Sequence, residues 1–167
     1  MLMNDPSSPA IFTREAVTGQ DYALAASLFQ AYANSVGEPS CFPDFENELQ
    51  QLGKIYAPPD GGVFLAFSND EPAGCCAFRP FHGTDHVNAC EMKRLYVARP
   101  FRRFGLGHML VEAVMNAAKI SGYSCMLLDT LDEMEVARTL YTEVGFREVP
   151  PYVQSPLPGA HHLKALL

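Results

Sequence analysis

The stretch "RRFGLGHML", residues 102–110, sets two arginines and two glycines at the start of an apolar stripe. The residues before it, "ACEMKRLYV" (89–97), read as a strand, and "LGHMLVEAVMNAAKISG" (106–122) reads as a helix closed by Gly122. A strand, a glycine-containing turn and a helix start bring free backbone N–H groups to one point, where an anion binds. Gly105 and Gly107 admit a ligand close to the backbone, and Arg102 and Arg103 add charge. The pattern is R-x-x-G-x-G. It lacks the lysine of the Walker loop, and Leu110 stands where G-x-G-x-x-G needs its third glycine, so both nucleotide motifs fail.

Working outward, "IFTREAV" (11–17) reads as a first strand, and "GQDYALAASLFQAYANSVG" (19–37) as a helix capped by Asp21. "PDFENELQQLG" (43–53) reads as a second helix closed by Gly53. Two strands follow in "VFLAFSNDEPAGCCAFRPF" (63–81), joined by a turn at "NDEP". In the helix after the glycine turn, Leu106, Met109, Leu110, Ala113, Val114, Ala117 and Ile120 share a face. "YSCMLLDT" (123–130) is apolar enough for a strand covered on both faces. A helix over "EMEVARTLYTEVG" (133–145) carries a stripe of Val136, Ala137, Leu140, Tyr141 and Val144. A strand start at "FREV", a proline-rich loop and a closing strand at "HHLKALL" complete the order. The reading is a single α/β domain: a mixed, mostly antiparallel twisted sheet flanked by helices on both faces. Residues 1–10 are read as a loose tail and 11–167 as the domain.

With 167 residues, 48% of them hydrophobic and 19% charged, the chain is long and apolar enough to bury a core. A formal charge of −7 argues against a broad nucleic-acid or anionic-membrane surface. "MLMNDPSSPA" lacks the basic and apolar parts of a signal peptide, and no apolar run has membrane-spanning length. Cys41, Cys75, Cys76, Cys90 and Cys125 are odd in number and form no C-x-x-C, so they read as reduced core thiols of a cytoplasmic protein. His82 and His86 flank Asp85, but Gly83 and Thr84 suit a loop, and no metal site is assigned.

The stretch "CEMKRLYVARPFRRFGLGHMLVEAV" (90–114) resembles the GNAT superfamily of acyl-CoA-dependent N-acetyltransferases, whose signature [QR]-x-x-G-x-[GA] is filled by Arg102, Gly105 and Gly107. A second element, "ARTLYTEVGF" (137–146), is similar to the family's A-x-x-L-Y-x-x-x-G-F. The resemblance covers residues 90–149 and implies acetyl-CoA as co-substrate. The backbone of Arg103, Phe104, Gly105, Leu106, Gly107 and His108 would hold its pyrophosphate. Leu95, Tyr96 and Val97 would pair with the pantetheine amides, and an N–H near Tyr96 or Val97 would face the oxyanion. Met134 stands where many members carry asparagine.

Acetyl transfer to an amine needs a neutral nucleophile, and a lysine-like amine has a pKa of about 10.4, so a proton must leave. By the resemblance, Glu91 is the candidate base and Tyr141 the acid that serves the departing thiolate. Each also has a structural reading: Glu91 as the ion-pair partner of Lys93 or an arginine, and Tyr141 as core. No Ser/His/Asp or Cys/His arrangement points to a covalent enzyme intermediate, so the expected reaction is direct attack in a ternary complex. The acceptor is a primary amine of a small molecule or peptide, and a homodimer is compatible with the reading. The alternative is a non-catalytic acyl-CoA sensor on the same fold.

Overall fold

The structure is a computed structural model and describes residues 6–167. A seven-stranded sheet runs in the order β1-β2-β3-β4-β5-β7-β6. Its strands are β1 (Ile11–Glu15), β2 (Gly62–Ser68), β3 (Glu71–Pro80), β4 (Ala89–Val97), β5 (Cys125–Leu131), β6 (Arg147–Val149) and β7 (Ala160–Leu166). All neighbours pair antiparallel except β4 and β5. Asn69 and Asp70 both have positive φ, the conformation of a tight hairpin turn between β2 and β3. Of the expected tail, residues 1–5 lie outside the described residues. Ala10 is already tied to Asn69, its N–H donating to Oδ1 at 2.9 Å.

Helices cover both faces. Helix α4 (Leu106–Ile120) and α5 (Glu135–Glu143) pack with Phe78, Met92, Met126 and Leu128. On the other face α1 (Gly19–Val36), α2 (Phe45–Gln50) and α3 (Leu52–Ile55) lie over Val63, Leu65 and Cys75. β5 is covered on both sides as expected: Met126 and Leu128 face α4, and Cys125 and Leu127 face Phe81 and Tyr152.

Four local readings need correction. Thr18, not Asp21, caps α1. Asp21 is the third residue of a capping box, its carboxylate accepting from the Thr18 N–H while the Thr18 hydroxyl accepts from Asp21 N–H. The segment 43–53 is two short helices broken at Gln51, and Gly53 lies inside α3. On α4 the sheet-facing set is Leu106, Leu110, Val111, Val114 and Ala118, whereas Ile120 is exposed. On α5, Val136 is exposed and only the rest of the predicted stripe packs inward.

Candidate active site

The site begins where the sheet parts. β4 and β5 pair only over Ala89–Glu91 against Cys125–Leu127. Beyond that, β4 stays with β3 and leaves β5, because β4 carries a bulge: Ala77 pairs with Lys93, but Cys75 pairs with Tyr96. The extra residue reverses the alternation. Cys90 and Met92 face α4 before it, and Leu95 and Val97 do so after it. Arg94 sits at the bulge with φ of 63°. That is an unfavourable conformation for a side-chain-bearing residue, held by strong contacts. Its guanidinium donates twice to Glu48 of α2, Nε to Oε2 and Nη2 to Oε1, both at 2.9 Å, and lies 4.7 Å over the Phe42 ring. Opposite the bulge, Gly74 is obligatory, since a Cβ there would stand 2.5 Å from the Tyr96 carbonyl oxygen.

The parted strands enclose a cleft bordered by Tyr32, Lys93, Arg94, Asp129, Met134 and Tyr141, among others. Tyr141 projects from α5 with its ring edge-on to Phe146, centroids 5.7 Å apart. Burial pushes its hydroxyl well above the ordinary phenol range, so it keeps its proton at neutral pH. Among the described residues no group hydrogen-bonds this hydroxyl. Met134, at the N-cap of α5, turns its sulfur inward to the hydroxyls of Thr130 at 3.5 Å and Tyr32 at 4.0 Å. A weak thioether acceptor therefore stands at the position where many relatives of the sequence motif carry an amide.

Beyond the end of β4 lies the turn that opens α4. Gly105 caps the helix with φ of 82°, a left-handed conformation that suits glycine, and no side chain caps the helix. The first intrahelical bond runs from Met109 N–H to the Gly105 carbonyl. Among the described residues, the backbone N–H groups from Arg103 to His108 are left without protein partners, as the sequence motif implies. Arg102 lies beside them, but its Nε donates to the Val97 carbonyl at 2.8 Å, fixing the strand end to the turn. His108 is near Glu112, one helical turn on. The β5-facing edge of Leu95, Tyr96 and Val97 borders the gap, with the Val97 carbonyl taken by Arg102.

Glu91 is buried in β4, and its carboxylate is shared by Lys93 at 3.2 Å and Arg79 at 3.6 Å. It does not border the cleft. The carboxylate on the wall is Asp129 of β5, which is exposed and has no ion pair among the described residues. Sequence reasoning missed Asp129, although a lone acid in the apolar run "CMLLDTL" was a usable signal. It also missed the Arg94–Glu48 pair, because the bulge that exposes it has no mark in the sequence.

The remaining candidates fall elsewhere. His86 Nδ1 is 3.1 Å from Lys164 Nζ, and its ring stands edge-on to Tyr152. Among the described residues no three metal-ligating side chains converge. All five cysteines are free, and burial raises each thiol above its ordinary range, so none supplies a thiolate. His161 and His162 point to opposite faces of β7: His161 meets Asp132 and Glu148, and His162 is buried.

The fold has well-described counterparts. An acetyltransferase of the GNAT family from Staphylococcus aureus superposes with a TM-score of 0.75 at 19% identity, covering 94% of this chain and 99% of that one. A Salmonella typhimurium protein solved with acetyl-CoA gives 0.74 at 16% identity, covering 94% of each. In sequence, an uncharacterized N-acetyltransferase of Schizosaccharomyces pombe is 36% identical over 146 residues, which are 87% of this chain and 88% of that protein. The family model for the acetyltransferase (GNAT) family matches residues 25–146. The chain belongs to this family. No described helix is long and apolar enough to cross a membrane.

Proposed function

We propose that this protein transfers the acetyl group of acetyl-CoA to a primary amine of a small molecule or peptide by direct attack in a ternary complex. The observation that carries this reading is the parting of β4 from β5, which leaves an unpaired edge of β4 leading toward the uncapped N-terminus of α4, beside a cleft bordered by the protonated Tyr141. The N–H groups of Arg103 to His108 would bind the pyrophosphate, with α4 aiming the positive end of its dipole there. The free edge at Leu95, Tyr96 and Val97 would hydrogen-bond the pantetheine arm like an added strand, and a backbone N–H near Tyr96 would receive the carbonyl oxygen.

Tyr141 would donate its proton to the departing sulfur. Glu91 would draw the amine's proton away through water, with Lys93 and Arg79 holding its carboxylate in place. The acting unit is residues 11–167, and the reduced buried thiols suit a cytoplasmic setting.

The test is calorimetry with acetyl-CoA, followed by a thiol-release assay against amines. Saturation at a hundredfold excess over Kd adds about 2.7 kcal/mol of stability. For a chain of this size that raises Tm by about 5–10 °C. Absence of binding at millimolar acetyl-CoA refutes the reading. Binding without turnover on any amine would make the protein a sensor instead.

A further inference from the structure

Three buried polar atoms have no partner among the described residues, and two of them, Nε2 of His162 and the hydroxyl oxygen of Tyr152, belong to neighbouring side chains. Native interiors leave few such atoms, because each unmade hydrogen bond is destabilising. The two side chains belong together. Tyr152 stands edge-on to His162, with ring centroids 4.9 Å apart and planes at 85°. His162 of β7 is also directly opposite Asp129 of β5 in the antiparallel register, so the two share a sheet face.

The cluster can present three acceptors to one ligand: Asp129 accepts hydrogen bonds, the Tyr152 hydroxyl accepts as well as donates, and the Nδ1–H tautomer of His162 would make Nε2 an acceptor. The cations on the cleft wall are already engaged, Arg94 by Glu48 and Lys93 by Glu91. Lys164, two residues along β7, is turned to His86. A group with one positive charge and several N–H donors would satisfy all three residues at once, and a primary ammonium is that group. An acidic acceptor would set its carboxylate against Asp129. Resting on the acetyltransferase reading above, we propose that Asp129, Tyr152 and His162 form the acceptor subsite and that it selects a cationic primary amine, whose extra proton passes through water to Glu91 before the freed amine attacks the thioester. The loop 150–159 carries Tyr152 and also Leu157, which borders the cleft, so this loop links the cluster to the cleft.

The experiment measures steady-state acetylation of 1,4-diaminobutane, Nα-acetyl-lysine amide and aspartate by the parent, Asp129→Asn and Tyr152→Phe proteins. Acetyl-CoA affinity is measured separately by calorimetry. The parent should favour the diamine or the lysine derivative over aspartate. Asp129→Asn should raise KM for the cationic acceptor about tenfold or more and narrow the preference over aspartate, with acetyl-CoA affinity unchanged. Tyr152→Phe should raise the same KM while Tm holds or rises, because an unpaired buried hydroxyl has been removed. Preference for aspartate, or parental KM in both variants, overturns the proposal. A lower Tm with parental KM in Tyr152→Phe also overturns it, by assigning the hydroxyl to a structural water. If acetyl-CoA binds but no cationic amine is acetylated, the subsite fails and the cofactor reading stands. If acetyl-CoA does not bind, both fail.

Discussion

Replacing Gly107 with alanine separates ligand approach from packing. Gly107 is the second residue of α4, and a Cβ there would lie 3.4 Å from Leu140 Cδ2 and 3.9 Å from Val97 Cγ2. Both are ordinary van der Waals distances, and Leu140 can adjust. The free protein therefore accepts the methyl, and the gain in helix propensity is up to about 1 kcal/mol. That raises Tm by about 2–4 °C or leaves it unchanged. The methyl also fills the space between the first turn of α4, the end of β4 and α5. There the pantetheine arm would leave the pyrophosphate, so acetyl-CoA affinity should fall about tenfold or more, equal to about 1.4 kcal/mol. Differential scanning fluorimetry of the free protein and calorimetry with acetyl-CoA read the two effects separately. Stability and affinity should move in opposite directions. A folded Gly107→Ala protein with parental affinity would refute the reasoning and assign the glycine to helix–sheet contact alone.

Three further outcomes are expected. Tyr141→Phe keeps the edge-on packing on Phe146 and should lower kcat about 10²–10⁴-fold with little change in acetyl-CoA affinity; parental turnover would make Tyr141 a core residue. Glu48→Ala leaves the buried Arg94 charge unpaired, a loss of about 3–5 kcal/mol and a Tm lower by about 10 °C, whereas an unchanged Tm would show that the pair does not hold the bulge. Asp132 and Glu148 raise the His161 pKa above its ordinary 6.5, so its stabilisation is complete below that value and is lost as pH rises through the folded-state pKa. His161→Gln should therefore lower Tm most below pH 6.5 and converge with the parent at higher pH, and a Tm difference independent of pH would remove His161 as the cause.

The legible parts of the sequence were those in which local chemistry and global position agree. The glycine turn after β4 and the element around Tyr141 are local patterns, and both stand where the motifs imply. Helix orientation was harder to read on α4. Leu106, Met109, Leu110, Val111, Ala113, Val114, Met115, Ala117, Ala118 and Ile120 spread apolar residues around most of the helix, so periodicity alone does not choose a face. Contact with the sheet chooses Val111 and Ala118 over Ile120. In β4, simple alternation places Met92 and Arg94 on one face. The bulge reverses that assignment and turns Arg94 to Glu48, a partner 46 positions away, which only the folded chain reveals. Glu91 was legible as a carboxylate with two readings; the ion pairs with Lys93 and Arg79 are present, and the base role proposed above would operate from within them.

The early parting of β4 from β5 has a mechanical side. The middle of the sheet is joined by only three residues of each strand, and further along the gap cohesion passes to side chains. Met92, Leu110, Leu128 and Tyr141 meet there in one apolar cluster. Ladder hydrogen bonds are directional and resist sliding, whereas apolar contacts tolerate small displacements with little change in energy. The two halves of the sheet thus meet at a compliant seam. On the proposed acetyl-CoA reading, any widening needed to seat an acyl chain of different bulk would fall on these dispersion contacts, and the hydrogen-bonded ladders on either side would keep their register.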